Sequence, residues 1–575
     1  MQENSQRFGL SRFLSTLLSE KLPEMQDIPT FLKGTLKDHL PSPWLLPDME
    51  KATAIITRAV EAQEPIALWG DYDVDGATST ALWTRFLSAY DVKPRIYIPD
   101  RLKEGYGLNV AGIKKLASEG IKLLITLDCG TTAHAPLEEA SKQGMRVVIV
   151  DHHAPDATQP AVCALVNPKH PDAKPEAKEL EILAAVGVSF FCLIALRQAF
   201  AKAETPLRDI PPFDLRCLLD LVALGTVCDV VPLTGTNRLL VQQGLKVFSK
   251  GLNSGLQALI TEANLAQKAT ASLSAYHLGF MLGPRLNAGG RLGDSSLGAR
   301  LLSTHDTREA TQLAKELSSL NTLRKTIERN VTLQALAQAD SHAEDALLVI
   351  HGQGWHEGVI GICAARVKDH AQKPAFVITF DADGKGKGSG RAPAGVDLSA
   401  LIHGALAKGL IQQGGGHQAA GGISLTQEQL PTFHAFCQAF LSAHPPQPLP
   451  PHVIATTLTF QALNASLWAD LKHLEPFGAG NKAPLFAFEN VHLLKKRTFA
   501  GSHLELELAQ ETGHPVKAVL FGGVGSVFDT FLRDPYLTAF HLIASVSFDD
   551  YAQRLSLTIE DIVPTTPAQV TQQAS

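Results

Sequence analysis

Between about residues 64 and 170, short apolar runs alternate with amphipathic stretches. Residues 66–69, 95–98, 122–126 and 146–150 read as buried parallel strands, and 77–90, 110–119 and 134–144 as the helices between them. This alternation predicts an α/β fold built on a doubly wound parallel sheet. Residues 178–230 read as largely helical. From 301 to 339 a long helical pattern places Leu313, Leu317, Leu320, Leu323, Ile327 and Val331 among charged residues. A helix of that length suits a bridge between two domains. A second α/β pattern starts at 346–350, continues through 375–380 and closes near the glycine-rich run 414–422. The proline-rich run 444–451 reads as a linker. After it, alternating segments at 456–460, 503–508, 517–520, 542–546 and 555–559 predict a small β-barrel, followed by a polar, disordered tail.

The predicted organisation is an N-terminal segment (1–49), a first α/β domain (50–300), a connecting helix (301–340), a second α/β domain (341–443), a barrel (452–563) and a tail (564–575). A length of 575 residues fits three or four domains. With 45% hydrophobic and 19% charged residues, disordered, collagen-like and coiled-coil classes are excluded. The seven cysteines are odd in number and include no CxxC pair, which argues for reduced core residues rather than disulfides or a zinc cluster. No signal peptide is visible at the N-terminus. The longest uncharged apolar run, 182–196, is shorter than the roughly 18 residues of a membrane span. A cytoplasmic protein without membrane association is expected. The net charge of −6 does not announce a nucleic-acid partner; a polyanion would need a local basic track or bound metal ions.

Candidate chemistry collects where the apolar runs end. Asp71, Asp73 and Asp75 lie on the turn after the first strand, Asp128 follows the third, and Asp151-His152-His153 follows the next. Asp229 follows a further apolar run and is read as a fourth strand end. The carboxyl ends of strands in an open α/β sheet line one crevice, so these groups should converge. Crowded carboxylates repel one another unless a cation neutralises them. Oxygen ligands with one or two imidazoles suit Mn²⁺ or Mg²⁺, and the number of ligands exceeds what one ion needs. The pattern predicts a phosphoesterase with two divalent cations. Phosphate oxygens also need positive charge. Arg285, Asn287 and Arg291, in the run GPRLNAGGR read as a glycine-rich turn, and Ser389 with Arg391, in a glycine-rich loop 384–391, are suited to that role. Segment 104–109 is expected at the cleft lip, His417 of the run GGGH is expected to face the cleft, and Lys495-Lys496-Arg497 with Phe499 is a candidate strand-tracking patch.

Asp73-Val-Asp75, Asp128, Asp151-His152-His153 and Asp229 resemble the four motifs of the DHH phosphoesterases. The run GWHEGVIG at 354–361, GSGR at 388–391 and GGGH at 414–417 resemble the DHH-associated domain. GPRLNAGGR at 283–291 and the C-terminal barrel are similar to the family's exonuclease branch, and the resemblance runs from about 50 to 560. It implies metal ligation by Asp73, Asp75, Asp128, His152 and Asp229, with Asp71 either a ligand or a buttress of its turn. His153 would contact the scissile phosphate or assist the leaving oxygen. Arg101, Ser389 and Arg391 would hold a 5′-terminal phosphate, and the barrel would be an OB-fold. Ala392 stands where the family often has serine, which weakens end recognition. The implied activity is metal-dependent 5′→3′ degradation of single-stranded DNA to 5′-mononucleotides, in recombination and repair. The implied state is a monomer, with single-strand-binding protein and a helicase as companions. Two alternatives are a phosphodiesterase for short oligonucleotides or cyclic dinucleotides, and a noncatalytic replication scaffold.

Overall fold

The computed structural model describes the chain apart from residues 1–9, 23–26, 102, 204–205, 267–272, 448–450, 500, 535–536, 550–552 and 566–575. The expected disorder of the tail therefore falls outside the described residues from 566 onward. The apolar runs of the first domain form β1 (Ile66–Gly70), β2 (Arg95–Tyr97), β3 (Leu123–Leu127), β4 (Arg146–Val150) and β5 (Ala164–Val166). All pairings are parallel, in the order β2-β1-β3-β4-β5. Five helices flank this sheet: α1 (Met49–Glu61), α2 (Val74–Ser88), α3 (Val110–Ser118), α4 (His134–Lys142) and α5 (Ala185–Lys202). Alternate side chains of each strand point to opposite faces. Leu68, Ile125 and Val148 pack with α1, α2 and α5. Ala67, Trp69, Leu124 and Ile149 pack with α3 and α4 on the other face. The connections diverge between β1 and β3, which opens a crevice beyond their carboxyl ends. By length and composition α5 is apolar enough to cross a membrane, but most of it is buried in this core.

Among the further helices that lead to the second domain are α6 (Leu219–Cys228), α7 (Gly283–Leu292) and the long α8 (Thr307–Ser341). The stretch read as one helix from 301 is two. Leu297–Ser303 is a separate helix, and Asp306 starts α8 by accepting from the Arg308 and Glu309 amides. The second sheet has the order β6-β7-β8-β10-β9, with β6 (Leu348–Gln353), β7 (Ala375–Phe380), β8 (Lys385–Arg391), β9 (Gln413–His417) and β10 (Ala420–Thr426). Helix α9 (Glu357–Ala371) lies between this sheet and α8, with Val359, Cys363 and Val367 packed on Val331, Ala335 and Val377.

The run 384–391, read as a loop, is thus strand β8 from Lys385 onward, and the glycine run 414–417 lies in strand β9. In β8, a Cβ on Gly386, Gly388 or Gly390 would meet Phe380, Ile423 or Phe376 at 2.5–2.7 Å. The neighbouring strands supply the apolar mass, and β8 needs none of its own.

The barrel consists of β11 (Ile454–Thr457), β12 (Leu485–Phe499), β13 (His503–Ala509), β14 (Val516–Leu520), β15 (Phe540–Asp549) and β16 (Arg554–Pro564). Strand β12 pairs with both β13 and β15, which closes five strands, while β11 adds to the start of β12. The N-terminal segment is not separate from it. Leu14, Leu17, Leu18 and Ile28 are buried in the barrel core beside Phe486 and Phe540. Arg238, 3% exposed, fastens this assembly to the first domain. Its guanidinium donates to the carbonyls of Phe31, Leu474 and His473 and lies 3.6 Å from the centre of the Phe31 ring.

Candidate metal centre

Asp71, Asp128 and Asp151 are the first residues beyond β1, β3 and β4. Each amide still pairs with a neighbouring strand: Asp71 with Leu127 O at 3.2 Å, Asp128 with Val150 O at 3.0 Å, and Asp151 with Val166 O at 3.1 Å. The ladder therefore places three carboxylates side by side. Asp73 caps α2 by accepting from the Gly76 amide at 3.0 Å. Asp75, in the first turn of α2, accepts from the Ala185 and Val186 amides at 2.7 and 2.9 Å and so caps α5. Asp128 adopts φ +63°, a left-handed conformation that aspartate tolerates better than most residues and that costs about 1–3 kcal/mol. Asp229 does not end a strand. It follows helix α6, whose apolar run is long enough for helical turns, and its amide bonds back to Gly225 O.

The side chains converge around His152. Its Nε2 lies 3.4 Å from Asp128 Oδ1, 3.6 Å from Asp229 Oδ2 and 4.0 Å from Asp75 Oδ2. Asp71, Asp73 and Asp128 form an adjoining group of ligand atoms. Asp71 Oδ1, Asp128 Oδ1, Asp229 Oδ2 and His152 Nε2 are buried without a hydrogen-bond partner. Orphaned buried acceptors are costly, and a cation satisfies all of them at once. Electrostatics agree. Burial, then neighbouring carboxylates, push Asp71, Asp75 and Asp128 well above the usual carboxylate range. Burial and Asp73 lift Asp229 to about 7. Burial and the neighbouring His153 lower His152 to about 4, leaving a neutral imidazole suited to ligation. The donor set fits divalent cations.

Asp151 organises the two histidines, a function that reading the motif by its histidines missed. Its Oδ1 accepts from the His152 amide, the His153 amide and His153 Nδ1, at 2.7, 3.2 and 2.7 Å. Its Oδ2 accepts from the Thr131 amide and hydroxyl at 3.1 and 2.6 Å. Burial would raise this carboxyl, but the His153 bond and the other donors hold it below its ordinary value. Burial likewise pulls His153 down, yet Asp151 outweighs it and raises the imidazole. Asn167 adds bonds to Thr131 Oγ1 and His153 O. In the 104–109 lip, the Tyr106 hydroxyl lies 3.3 Å from Asp128 O and 3.4 Å from His153 Nε2.

The phosphate candidates divide into two groups. GPRLNAGGR is helix α7, not a turn: Pro284 suits its first turn, and Gly290 allows close packing on Tyr72. Arg291, at its end, donates to Gly358 O of α9 at 2.9 Å. Arg101 lies 5.0 Å from the centre of the Tyr72 ring. Arg391 donates to Ser389 Oγ at 3.0 Å, and both residues face Gly361 of α9. Burial, then the charge of Arg101, lowers the pKa of Arg291 and of Arg391, so three guanidinium groups share the space between the domains. Asn287, one turn before Arg291, lies on the same side of α7. Arg285 does not join them and folds back onto Met281 O. His417 is exposed on edge strand β9; it stands opposite Ala420, which stands opposite Arg391, so all three share one row.

The barrel patch is not a free basic track. Lys495 pairs with Glu507 at 3.3 Å, Lys496 with Asp529 at 2.8 Å and Arg497 with Glu505 at 2.5 Å. Cross-strand register brings Glu507 and Glu505 opposite Lys495 and Arg497, and the short helix Val527–Phe531 brings Asp529 to Lys496, which the linear sequence does not display.

Fold and site together define a metal-dependent phosphoesterase of the DHH type. Residues 65–226 match the DHH family N-terminal domain, 344–443 the DHHA1 domain and 454–561 the RecJ OB domain. The single-stranded-DNA-specific exonuclease RecJ of Dickeya dadantii is 34% identical over 537 residues, covering 88% of both chains. The crystal structure of RecJ in complex with Mn²⁺ from Thermus thermophilus superposes with a TM-score of 0.79 at 27% identity. That match covers 98% of this chain and 78% of the other. A crystal structure of exonuclease RecJ bound to manganese matches at 33% identity and a TM-score of 0.58, over 70% of this chain and 96% of the other. The chain belongs to the RecJ family.

Proposed function

We propose that this protein is a divalent-cation-dependent exonuclease that shortens single-stranded DNA from its 5′ end and releases 5′-mononucleotides in recombination and repair. The observation that carries the reading is the position of Tyr72. It lies between Asp71 and Asp73 of the carboxylate cluster and packs against Arg101 and α7, so one turn carries both metal-ligand candidates and a contact to the guanidinium group.

Asp73, Asp75, Asp128, His152 and Asp229 would hold two cations, Mn²⁺ or Mg²⁺, and the orphaned Oδ1 of Asp71 supports a sixth ligand. Bound there, the cations supply a nucleophile from water near neutral pH and neutralise charge on the phosphate. Arg101, Ser389 and Arg391, joined by Arg291, would grip a terminal 5′-phosphate; the planar forks of arginine suit it, and such capture sets the polarity. His417 and Asn287 would border that grip. His153, held at Nδ1 by Asp151, turns Nε2 toward the cleft, where it can hydrogen-bond the scissile phosphate or protonate the leaving oxygen.

We also propose that the protein acts as a cytoplasmic monomer on strands exposed by a helicase and covered by single-strand-binding protein. The catalytic unit is assigned to 50–300 and the phosphate-gripping unit to 341–443. The test is digestion of 5′- and 3′-labelled single strands with Mn²⁺, Mg²⁺ or EDTA. Mononucleotides should leave the 5′ end first and only with the cations; release from the 3′ end first would overturn the polarity.

A further inference from the structure

Among the described residues, five large aromatic side chains expose more than a third of their surface: Trp44, Tyr106, Tyr276, Phe280 and Phe521. Tyr106 borders the metal centre. Tyr276 and Phe280 form a pair, with ring centres 5.1 Å apart and planes 24° from parallel, and are 55% and 72% exposed. They stand on the outer side of a short π-helical stretch, His277–Leu282, that runs without a break into α7. The inner side is buried through Leu278 and Leu282. It packs on the residues just before Asp229: Cys228 Sγ donates to Leu278 O, and a Cβ on Gly279 would lie 3.4 Å from Val227. The aromatic pair thus stands on the helical run that packs against the segment before Asp229, while Arg291 at the far end of the same run reaches the guanidinium group.

Arg285 belongs to this near end. Its guanidinium caps Met281 O, beside Phe280, and its Nε is buried without a partner. Lys325 of α8 is a neighbouring charge, and Glu262 is the acidic one. Stacked, exposed rings beside cations match the chemistry of a single strand, whose bases offer π-faces and whose phosphates need positive charge.

We propose that Tyr276 and Phe280 form a base-stacking platform, with Arg285 as its phosphate contact, for nucleotides on the 3′ side of the scissile bond. This inference rests on the exonuclease reading above. Helical rise puts Phe280 and Arg291 roughly 15 Å apart. With stacked nucleotides spaced at about 3.4 Å, the platform serves strands of about five or more nucleotides and is out of reach of a dinucleotide.

The test compares kcat/KM on 5′-phosphorylated oligodeoxynucleotides, from a dinucleotide to a strand of about a dozen, for the wild type, Tyr276→Ala/Phe280→Ala and Tyr276→Phe/Phe280→Trp. The ratio of long-strand to dinucleotide kcat/KM should fall about tenfold or more in the alanine variant and be retained in the aromatic one. An unchanged ratio in the alanine variant, or equal loss of the ratio in both, would overturn the platform and leave the exposed pair to another partner. A wild type that does not shorten strands from the 5′ end would instead remove the exonuclease reading itself.

Discussion

Asp151→Asn isolates the residue that aims the two histidines. The substitution keeps the side-chain volume but puts an amide group where a carboxylate accepts five hydrogen bonds. The least costly orientation turns the new NH₂ toward Thr131, whose hydroxyl can rotate to accept while its amide, 3.1 Å away, loses its acceptor. The His153 Nδ1–H then donates to a neutral oxygen rather than a charged one, a bond roughly half as strong. One unsatisfied amide and one weakened charged bond cost about 2–3 kcal/mol of stability. Asp151 holds the proposed ligand His152 through its backbone amide, and groups that position metal ligands typically matter about 10–100-fold in metal affinity or activity. Exonuclease rates measured across a Mn²⁺ titration, with circular dichroism to verify folding, should show a weaker apparent Mn²⁺ affinity in that range and partial recovery at high Mn²⁺. Wild-type Mn²⁺ dependence in a folded Asp151→Asn protein would refute the orienting role.

Cation removal should destabilise the first domain, because it leaves mutually repelling carboxylates buried. An ion at a hundredfold its dissociation constant adds about 2.7 kcal/mol, so scanning calorimetry should show a midpoint about 5–10 °C lower in EDTA than in Mn²⁺; equal midpoints would count against the site. Gly358→Ala should separate the two α/β domains, since its Cβ would lie 2.5 Å from the Arg291 carbonyl. A cost of about 1–3 kcal/mol should appear as weaker binding of 5′-phosphorylated strands, and wild-type affinity would argue against a tight contact. Asp220 is a pH probe away from the metals: burial raises its folded-state value from 3.8 to about 7. Folding therefore takes up a proton between those limits, and stability is full below about pH 4 and falls as pH rises toward 7. Asp220→Asn should raise the unfolding free energy at pH 8 by an amount on the order of a few kcal/mol, read as a higher urea midpoint, and leave it nearly unchanged at pH 4; the opposite pattern would reverse the assignment.

Parts of this architecture are legible in the chain because their signals are local. The β3 run Leu123–Leu127 is buried on both faces, so a continuous apolar stretch marks it, and the aspartates after β1, β3 and β4 follow by position. Strand β8 escapes because its apolar half consists of glycines filled by Phe376, Phe380 and Ile423 from elsewhere, which makes a strand look like a loop. Asp229 looks like a strand end because a buried helix and a buried strand share the same apolar composition over a short run. The charge of Lys495 and Arg497 looks available until β13 aligns Glu507 and Glu505 opposite them. Asp151 was visible as a motif residue, but its task depends on Thr131 and Asn167, which no spacing rule connects to it.

The burial of Leu14, Leu17, Leu18 and Ile28 inside the barrel has a consequence for biosynthesis. These helices leave the ribosome more than four hundred residues ahead of β12, their partner strand. At about 5–20 residues per second, that gap lasts on the order of half a minute to a minute and a half. Throughout it, an apolar helix face waits without a core while the two α/β domains form behind it. The barrel is therefore completed by a segment translated well before it, so a nascent chain stalled ahead of the barrel carries an uncovered hydrophobic surface.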